Sequence, residues 1–140
     1  MNNQANYGIA DATFRAAGEE AGVRKLVANF YEIMSTDAAY ERIWSWHTED
    51  LEIAADKLAS FLCGWMGGPR LYQEKFGGIS IPRVHAHLNV TEDERDQWLS
   101  CMRKALGQQG YPTELVEYLM IQLAKPAEMI RLAPKRARGA

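Results

Sequence analysis

Residues 61–72 read FLCGWMGGPRLY, and the change of composition within them predicts where a helix ends. The apolar residues that lead into this stretch recur at helical spacing and share one face: Leu51, Ala54, Leu58, Phe61, Leu62 and Trp65. Gly67 and Gly68 then favour the left-handed conformation that closes a helix, and Pro69 cannot continue the hydrogen-bond ladder. The stretch therefore predicts an amphipathic helix with a sharp stop.

The rest of the chain shows the same helical spacing. Upstream, one stripe consists of Val23, Leu26, Val27, Phe30, Tyr31 and Met34. Downstream, a second stripe consists of Trp98, Leu99, Met102, Ala105 and Leu106, and a third of Leu115, Val116, Leu119, Met120 and Leu123. Each stripe is wide enough to bury one face of a helix against a common core.

Residues that favour helix ends separate these stripes. Residues 36–37, Thr-Asp, are typical of a cap, and residues 48–50, Thr-Glu-Asp, begin the helix that runs toward residue 65. Thr91 and Glu94 have the spacing of a capping box, in which the hydroxyl and the carboxylate each accept a backbone N–H of the other residue. Pro126 is expected to kink or restart the last helix, because proline lacks the N–H that the ladder needs.

No part of the chain predicts a sheet. Residues 76–82, FGGISIP, form a loop whose apolar tripeptide is too short for a strand with no partner. The expected fold is therefore all-α, in about seven or eight helical pieces. We expect one domain over residues 1–140, with a short N-terminal extension (1–10) and a frayed basic tail (133–140).

Composition and charge exclude several classes of protein. The chain is 47% hydrophobic and 24% charged, as ordinary globular proteins are, and its net charge of −2 gives no general attraction to nucleic acid or anionic membranes. Cys63 and Cys101 lie in apolar helical patterns outside any metal-binding spacing, so we expect buried, reduced thiols. The N-terminus lacks the pattern of a signal peptide, and we expect a cytoplasmic protein.

The chemistry-bearing residues leave few enzyme classes. The chain has no phosphate-binding glycine loop, no HExxH or GxSxG motif, and no paired carboxylate stripe for two irons. Two of its three histidines, His85 and His87, lie two residues apart, so on a helix only one can face a given pocket. A neutral imidazole in an apolar pocket can hold haem iron, but such a histidine is more often an ordinary surface residue. Residue chemistry alone leaves haem as one hypothesis among several.

Three blocks, in order, resemble the truncated haemoglobins of the group II branch. Residues 61–72 resemble the end of the distal helix with its glycine pair. Residues 81–90, IPRVHAHLNV, are followed at the family's spacing by ERDQWL at residues 94–99. The aromatic pair at residues 30–31 matches the pair at the end of an upstream helix. The resemblance covers roughly residues 11 to 132.

The resemblance implies a 2-over-2 helical sandwich around one haem b. It places His85, rather than His87, at the proximal iron ligand. It also places Tyr31 and Trp98 in the distal pocket, where the phenol and the indole N–H can donate hydrogen bonds to a gas ligand. Without the resemblance, plain core packing would be the favoured interpretation of both, since each lies on an apolar stripe.

Two residues compete for a third distal position. The spacing back from Leu51 favours His47, and the spacing forward from Tyr31 favours Trp44. His47 matches a common His-Pro form of this turn, with Thr48 in place of proline, and is the preferred assignment. On the distal helix the position beside the ligand falls on Ala54, which leaves a small opening and cannot form a hydrogen bond.

The resemblance also implies the walls and edge of the cofactor pocket. The apolar walls would be Leu58, Phe61, Leu62, Phe76, Val84 and Met102. Lys57 and Tyr72 match positions that contact the haem propionates, and Arg83 can do the same. A surface role is about equally plausible for these last three.

Hydrogen-bond donors around a gas ligand predict tight oxygen binding with slow release, because bound dioxygen carries partial negative charge. This favours redox chemistry on the gas, either NO dioxygenation or peroxide turnover, with electrons from an unidentified reductase. The alternatives are a non-catalytic binder of oxygen and other diatomic ligands such as CO and NO (a sensor, store or carrier) and, least favoured, a helical interaction module without a cofactor. We expect a monomer or a homodimer.

Overall fold

The computed structural model describes residues 6–47, 50–78, 88 and 90–132, and all the regular structure in this part of the chain is helical. The helices are α1 (Ala12–Ala16), α2 (Glu19–Thr36), α3 (Glu41–Trp44), α4 (Leu51–Trp65), α5 (Leu71–Phe76), α6 (Glu92–Gln108) and α7 (Thr113–Leu132), with one 3₁₀ turn at Ala38–Tyr40. The all-α prediction is confirmed. No helix in the described part of the chain is long and apolar enough to cross a membrane.

Helix α2 lies at the centre of the fold. It packs against α4 on one side and α6 on the other, and α6 in turn packs against α7. All six residues of the predicted α2 stripe are buried: Val23, Leu26, Val27, Phe30, Tyr31 and Met34. The stripes of α6 and α7 add Cys101, Met102, Ala105, Leu106, Leu115 and Leu119 to the same core. Two helix pairs, α2 with α4 and α6 with α7, therefore share one interior.

The glycine pair ends α4 as the sequence predicts. Gly67 has φ +95°, its N–H donates to the carbonyl of Gly64, and the Gly68 N–H donates to the carbonyl of Cys63 at 2.9 Å. These bonds satisfy carbonyls that the helix would otherwise leave open. A Cβ at Gly68 would lie 2.6 Å from the Phe14 ring. The pair therefore both ends α4 and makes room for the N-terminal segment.

Side chains satisfy the N-terminal ends of three other elements. Asp37 accepts the Ala39 N–H at 2.9 Å, and Asp50 accepts the Glu52 N–H at 2.7 Å. At α6 both halves of the predicted capping box are present, and the Thr91 N–H donates to Glu94 Oε1 at 3.1 Å. Local chemistry therefore sets the helix starts that bring the three stripes together.

The structure differs from the sequence prediction at two places. A helix, α5, lies before the glycine-rich loop where the apolar pattern marked none, and none of its residues is buried. The last helix does not restart at Pro126 and continues to Leu132. After the proline, Glu128 accepts hydrogen bonds from Arg95 of α6 and from Arg131, each at 2.7 Å. These ties hold the residues that follow Pro126 in helical register.

Both thiols are buried and free, as expected. Burial raises the pKa of the Cys63 thiol and raises the pKa of Cys101 to about 12. The Cys101 thiol donates to the Phe30 carbonyl at 3.4 Å. A thiol with a raised pKa is a poor nucleophile, so these two residues belong to the core and not to a redox site.

Candidate functional site

Aromatic rings from three separate segments meet beside α2. The Tyr31 ring lies 5.3 Å from the His47 ring, edge to face at 81°. Phe30 lies 5.2 Å from Tyr31 and 5.2 Å from Trp98 of α6. Tyr31 is only 7% exposed. The helix stripe turns Phe30 and Tyr31 inward together, so that Phe30 connects the two predicted distal residues, Tyr31 and Trp98.

The orientation of the His47 ring is set by the chain just before it. Its Nδ1 lies 3.1 Å from the Ile43 carbonyl oxygen and 3.3 Å from the Trp44 carbonyl oxygen. A carbonyl can only accept, so Nδ1 carries the proton. In the tautomer with the proton on Nδ1, Nε2 offers a lone pair. In that tautomer His47 is an acceptor.

Trp44 lies on the other side of His47. The two rings stack at 5.6 Å with an interplanar angle of 28°, while it is His47 whose ring meets Tyr31. Of the two candidates for the third distal position, the geometry therefore favours His47. Trp44 stacks against the imidazole ring of His47.

The indole N–H of Trp98 has no hydrogen-bond partner among the described residues. Trp98 is half-buried, and its ring contacts that of Phe30. An indole N–H is a donor only. Trp98 can therefore donate to an external ligand without breaking a bond within the fold.

Large apolar side chains on α4 and α6 fit a flat apolar cofactor. Leu58 and Phe61 of α4 and Trp98 and Leu99 of α6 pack against the core but are only partly buried. Leaving such surface in water is costly, and an apolar ring system placed against it would remove that cost. Ala54 is 6% exposed, so α4 presents no bulk at that point.

The remaining predicted wall residues differ in burial. Leu62 and Met102 are 1% and 0% exposed and lie within the core. Phe76 is 40% exposed, with the Tyr72 ring 5.0 Å away and the Lys57 ammonium 5.9 Å from its ring centre. Lys57, Tyr72 and Phe76 therefore come together at one edge of the α4 surface.

A cluster of charged residues at this edge connects α4 to α5 and α2. Asp56 Oδ1 accepts from Lys75 Nζ of α5 at 2.9 Å and from Arg24 Nη1 of α2 at 3.0 Å. Arg24 also donates to Glu20 at 2.8 Å. The hydrogen bond from Lys75, followed by that from Arg24, lowers the pKa of the Asp56 carboxyl. Sequence analysis missed this cluster, because its members lie far apart in the chain.

Four of the predicted residues, Arg83, Val84, His85 and His87, lie outside the described residues. Their assigned roles stay predictions. A cleft of about 240 Å³ lies elsewhere, at the N-terminal segment, and is lined by Thr13, Trp65, Tyr118 and their neighbours. None of the predicted site residues lines it, so the cleft is separate from the aromatic cluster.

Comparison with known proteins identifies related chains. The profile of the bacterial-like globins matches residues 12–131. Group 2 truncated hemoglobin YjbI of Bacillus subtilis (strain 168) is 34% identical over 113 residues, which cover 81% of this chain and 83% of the relative.

Solved structures share the arrangement of helices. The group II 2-on-2 hemoglobin from the plant pathogen Agrobacterium tumefaciens has a TM-score of 0.80 at 30% identity, over 94% of this chain and 98% of that one. The truncated oxygen-avid haemoglobin from Bacillus subtilis has a TM-score of 0.74 at 31% identity, over 84% of this chain and 97% of that one.

Proposed function

The chain belongs to the bacterial-like globin family, in its group II truncated branch, and from this premise we propose that His85 holds the iron of a haem b. The family binds haem and small gas ligands, so the chain is a haem-based gas-binding protein. Its relatives also confirm the expected 2-over-2 helical sandwich. The identity of the iron ligand and the reaction of the bound gas are proposals that go beyond the family assignment.

One observation supports the assignment of the distal residues. Tyr31 and His47 meet ring to ring, and Trp98 joins them through Phe30. The resemblance had nominated these residues from three separate segments, and nothing in sequence separation requires them to approach one another. Their proximity favours a shared role beside one ligand.

The haem, when bound, supplies the iron at which a diatomic gas coordinates. Tyr31 contributes a phenol in a buried setting, where a hydrogen bond to a partly charged acceptor is strong. Trp98 contributes an uncommitted N–H. His47, in the tautomer with the proton on Nδ1, contributes an acceptor at Nε2 for a hydrogen bond from a neighbouring hydroxyl or water. Ala54 has only a methyl group and would add little bulk beside these groups.

Other side chains would retain the cofactor. Leu58 and Phe61 offer partly exposed apolar surface for the ring system. At the polar edge, Lys57 and Tyr72 would bind the propionates, and a carboxylate beside an ammonium or a phenol is a stable pairing. The structure brings these two residues to the same edge, beside Phe76.

Two donors beside the gas, Tyr31 and Trp98, favour slow release of oxygen. One relative, from Bacillus subtilis, is described as oxygen-avid, which agrees with this proposal. Oxygen and CO dissociation from wild type and from the double variant Tyr31→Phe, Trp98→Phe provide the test. The oxygen rate should rise much more than the CO rate, because CO carries little charge for the donors to stabilise. Equal changes for both gases would contradict the proposal.

Slow release suits chemistry on the gas better than transport. NO dioxygenation would combine O₂ and NO to nitrate, with the one electron that this product requires supplied by the bound cofactor and returned by a reductase. Peroxide turnover and non-catalytic storage or sensing are the alternatives. Repeated additions of NO to the oxygenated protein, with an electron donor and oxygen in excess, separate these functions. The dioxygenase predicts many nitrates per haem, and a yield that stops at one nitrate per haem with accumulation of ferric protein would favour a binder.

A further inference from the structure

Helix α5 has little of its own to hold it in place. It is six residues long and has no buried residue, and isolated helices of that length are unstable in water. It is followed by Gly77, with φ +83°, and Gly78, and a Cβ at either would meet nothing within 4 Å. Leu71 at its start packs against the core, and the position of the rest of α5 depends on polar contacts of its side chains with other helices.

Asp56 supplies the main polar tie. A single oxygen, Oδ1, accepts hydrogen bonds from Lys75 of α5, from Arg24 of α2 and, at 3.3 Å, from the hydroxyl of Ser60. Lys75 also reaches the Ser60 hydroxyl at 3.5 Å. The side chains of Asp56 and Lys75 are 35% and 40% exposed. One carboxylate therefore connects three helices. Because it is partly exposed, dissolved ions can screen its ion pairs.

The same short helix carries the edge of the proposed cofactor pocket. Phe76 directly follows Lys75, contacts Tyr72 on its own helix and lies under the Lys57 ammonium. In sequence, α5 also leads within ten residues to the predicted iron ligand, His85. A shift of α5 would move the edge at which the propionates would bind.

We propose that Asp56 is a positioning residue for the cofactor. By binding Lys75 it holds α5 against α4 and α2, so that Tyr72 and Phe76 close over the haem edge. Haem retention in this protein then depends on one exposed ion-pair network and weakens with salt. The inference rests on the proposed function, since it requires haem at this edge.

The rate of haem loss tests the proposal. Ferric wild type, Asp56→Asn, Lys75→Met and the double variant are each mixed with excess apomyoglobin, and haem transfer is followed by the Soret band. Each single variant should lose haem about fivefold faster, which corresponds to the roughly 1 kcal/mol at the upper end for an exposed ion pair. The double variant should lose haem no faster than Asp56→Asn, because Lys75 acts through that carboxylate.

Glu117→Gln is the matched control. It breaks another exposed pair between helices, Arg103–Glu117 at 2.8 Å, whose side chains are both 51% exposed. This variant should lose haem at the wild-type rate. The salt dependence of the haem-loss rate is a second measurement. General destabilisation of the fold would not make wild type alone sensitive to salt. At about 1 M the Debye length falls to about 3 Å, so wild type should approach the Asp56→Asn rate while that variant changes little.

The proposal is overturned if Asp56→Asn keeps haem as well as wild type, or if Glu117→Gln accelerates the loss equally. Additive effects of the two single variants would show that Asp56 does not act through Lys75, and would also overturn it. A wild type that takes up no haem would overturn the proposed function, and this inference with it. That result comes from wild type alone, so it can be distinguished from the outcomes for the variants.

Discussion

The donor and acceptor assignment in the distal cluster predicts unequal effects of three single variants on oxygen release. Tyr31→Phe removes a phenol that is 7% exposed. A buried hydrogen bond to a partly charged group is worth about 1.5–3 kcal/mol, so the oxygen dissociation rate should rise roughly 10- to 100-fold. Trp98→Phe removes a donor that is only half-buried. About 1 kcal/mol is expected there, which is roughly a fivefold rise.

His47→Leu should behave differently. The Nδ1 atom faces the carbonyls of Ile43 and Trp44, so in the tautomer with the proton on Nδ1 the ring has no second proton to donate to oxygen. Its removal should change the dissociation rate less than about threefold, because no donor is lost. Leucine keeps apolar volume next to Tyr31 and Trp44 and so limits repacking.

Stopped-flow mixing of the oxygenated proteins with excess CO measures these rates. Tyr111→Phe is the matched control. It deletes another phenol hydroxyl, which donates to the Ala17 carbonyl at 2.6 Å, and burial raises the pKa of that phenol. This variant should leave the rate unchanged although it weakens the fold. The reasoning is refuted if His47→Leu equals Tyr31→Phe in effect, or if Tyr31→Phe releases oxygen at the wild-type rate.

Two further predictions concern the scaffold. Gly67→Ala should lower the free energy of unfolding by about 2 kcal/mol or more, because its φ is +95° and the new Cβ would collide with the Ala10 carbonyl oxygen. Gly107→Ala, where a Cβ meets nothing within 4 Å, should raise the free energy of unfolding by about 0.5–1 kcal/mol. Urea unfolding measures both variants. Equal effects of the two substitutions would refute the steric argument. Hydrogen bonds from Arg131, followed by those from Arg95, lower the pKa of Glu128 from 4.5 to about 2. The contribution of Glu128 to the free energy of unfolding is therefore complete above about pH 4.5 and is lost as pH falls toward 2. The difference in urea midpoint between wild type and Glu128→Gln should therefore shrink over that range, and a difference that grows on acidification would contradict it.

The helix ends could be predicted because they depend on neighbouring residues alone. The glycine pair at residues 67–68, the capping box of Thr91 and Glu94 and the cap at Asp50 each act within a few residues. Helix α5 could not be predicted in this way. None of its side chains is buried, so it has no apolar stripe, and its tie to Asp56 depends on the tertiary fold.

The site was predictable to a similar extent. The resemblance nominated Tyr31, His47 and Trp98, and the structure joins them directly or through Phe30. The protonated nitrogen of His47 could not be inferred from sequence, because it depends on where two backbone carbonyls point. Counting from the two sides gave different answers for His47 and Trp44, and the ring contact between His47 and Tyr31 favours His47, whose distal role stays a prediction.

The most direct test of the account is the visible spectrum of purified wild type beside His85→Ala and His87→Ala, in ferric, dithionite-reduced and CO-bound forms. His87 lies two residues away in sequence and is the matched control for loss of an imidazole. The account predicts a haem spectrum in wild type and in His87→Ala, and a Soret band that is lost or shifted only in His85→Ala. A wild type without haem, or a shift confined to His87→Ala, would contradict it.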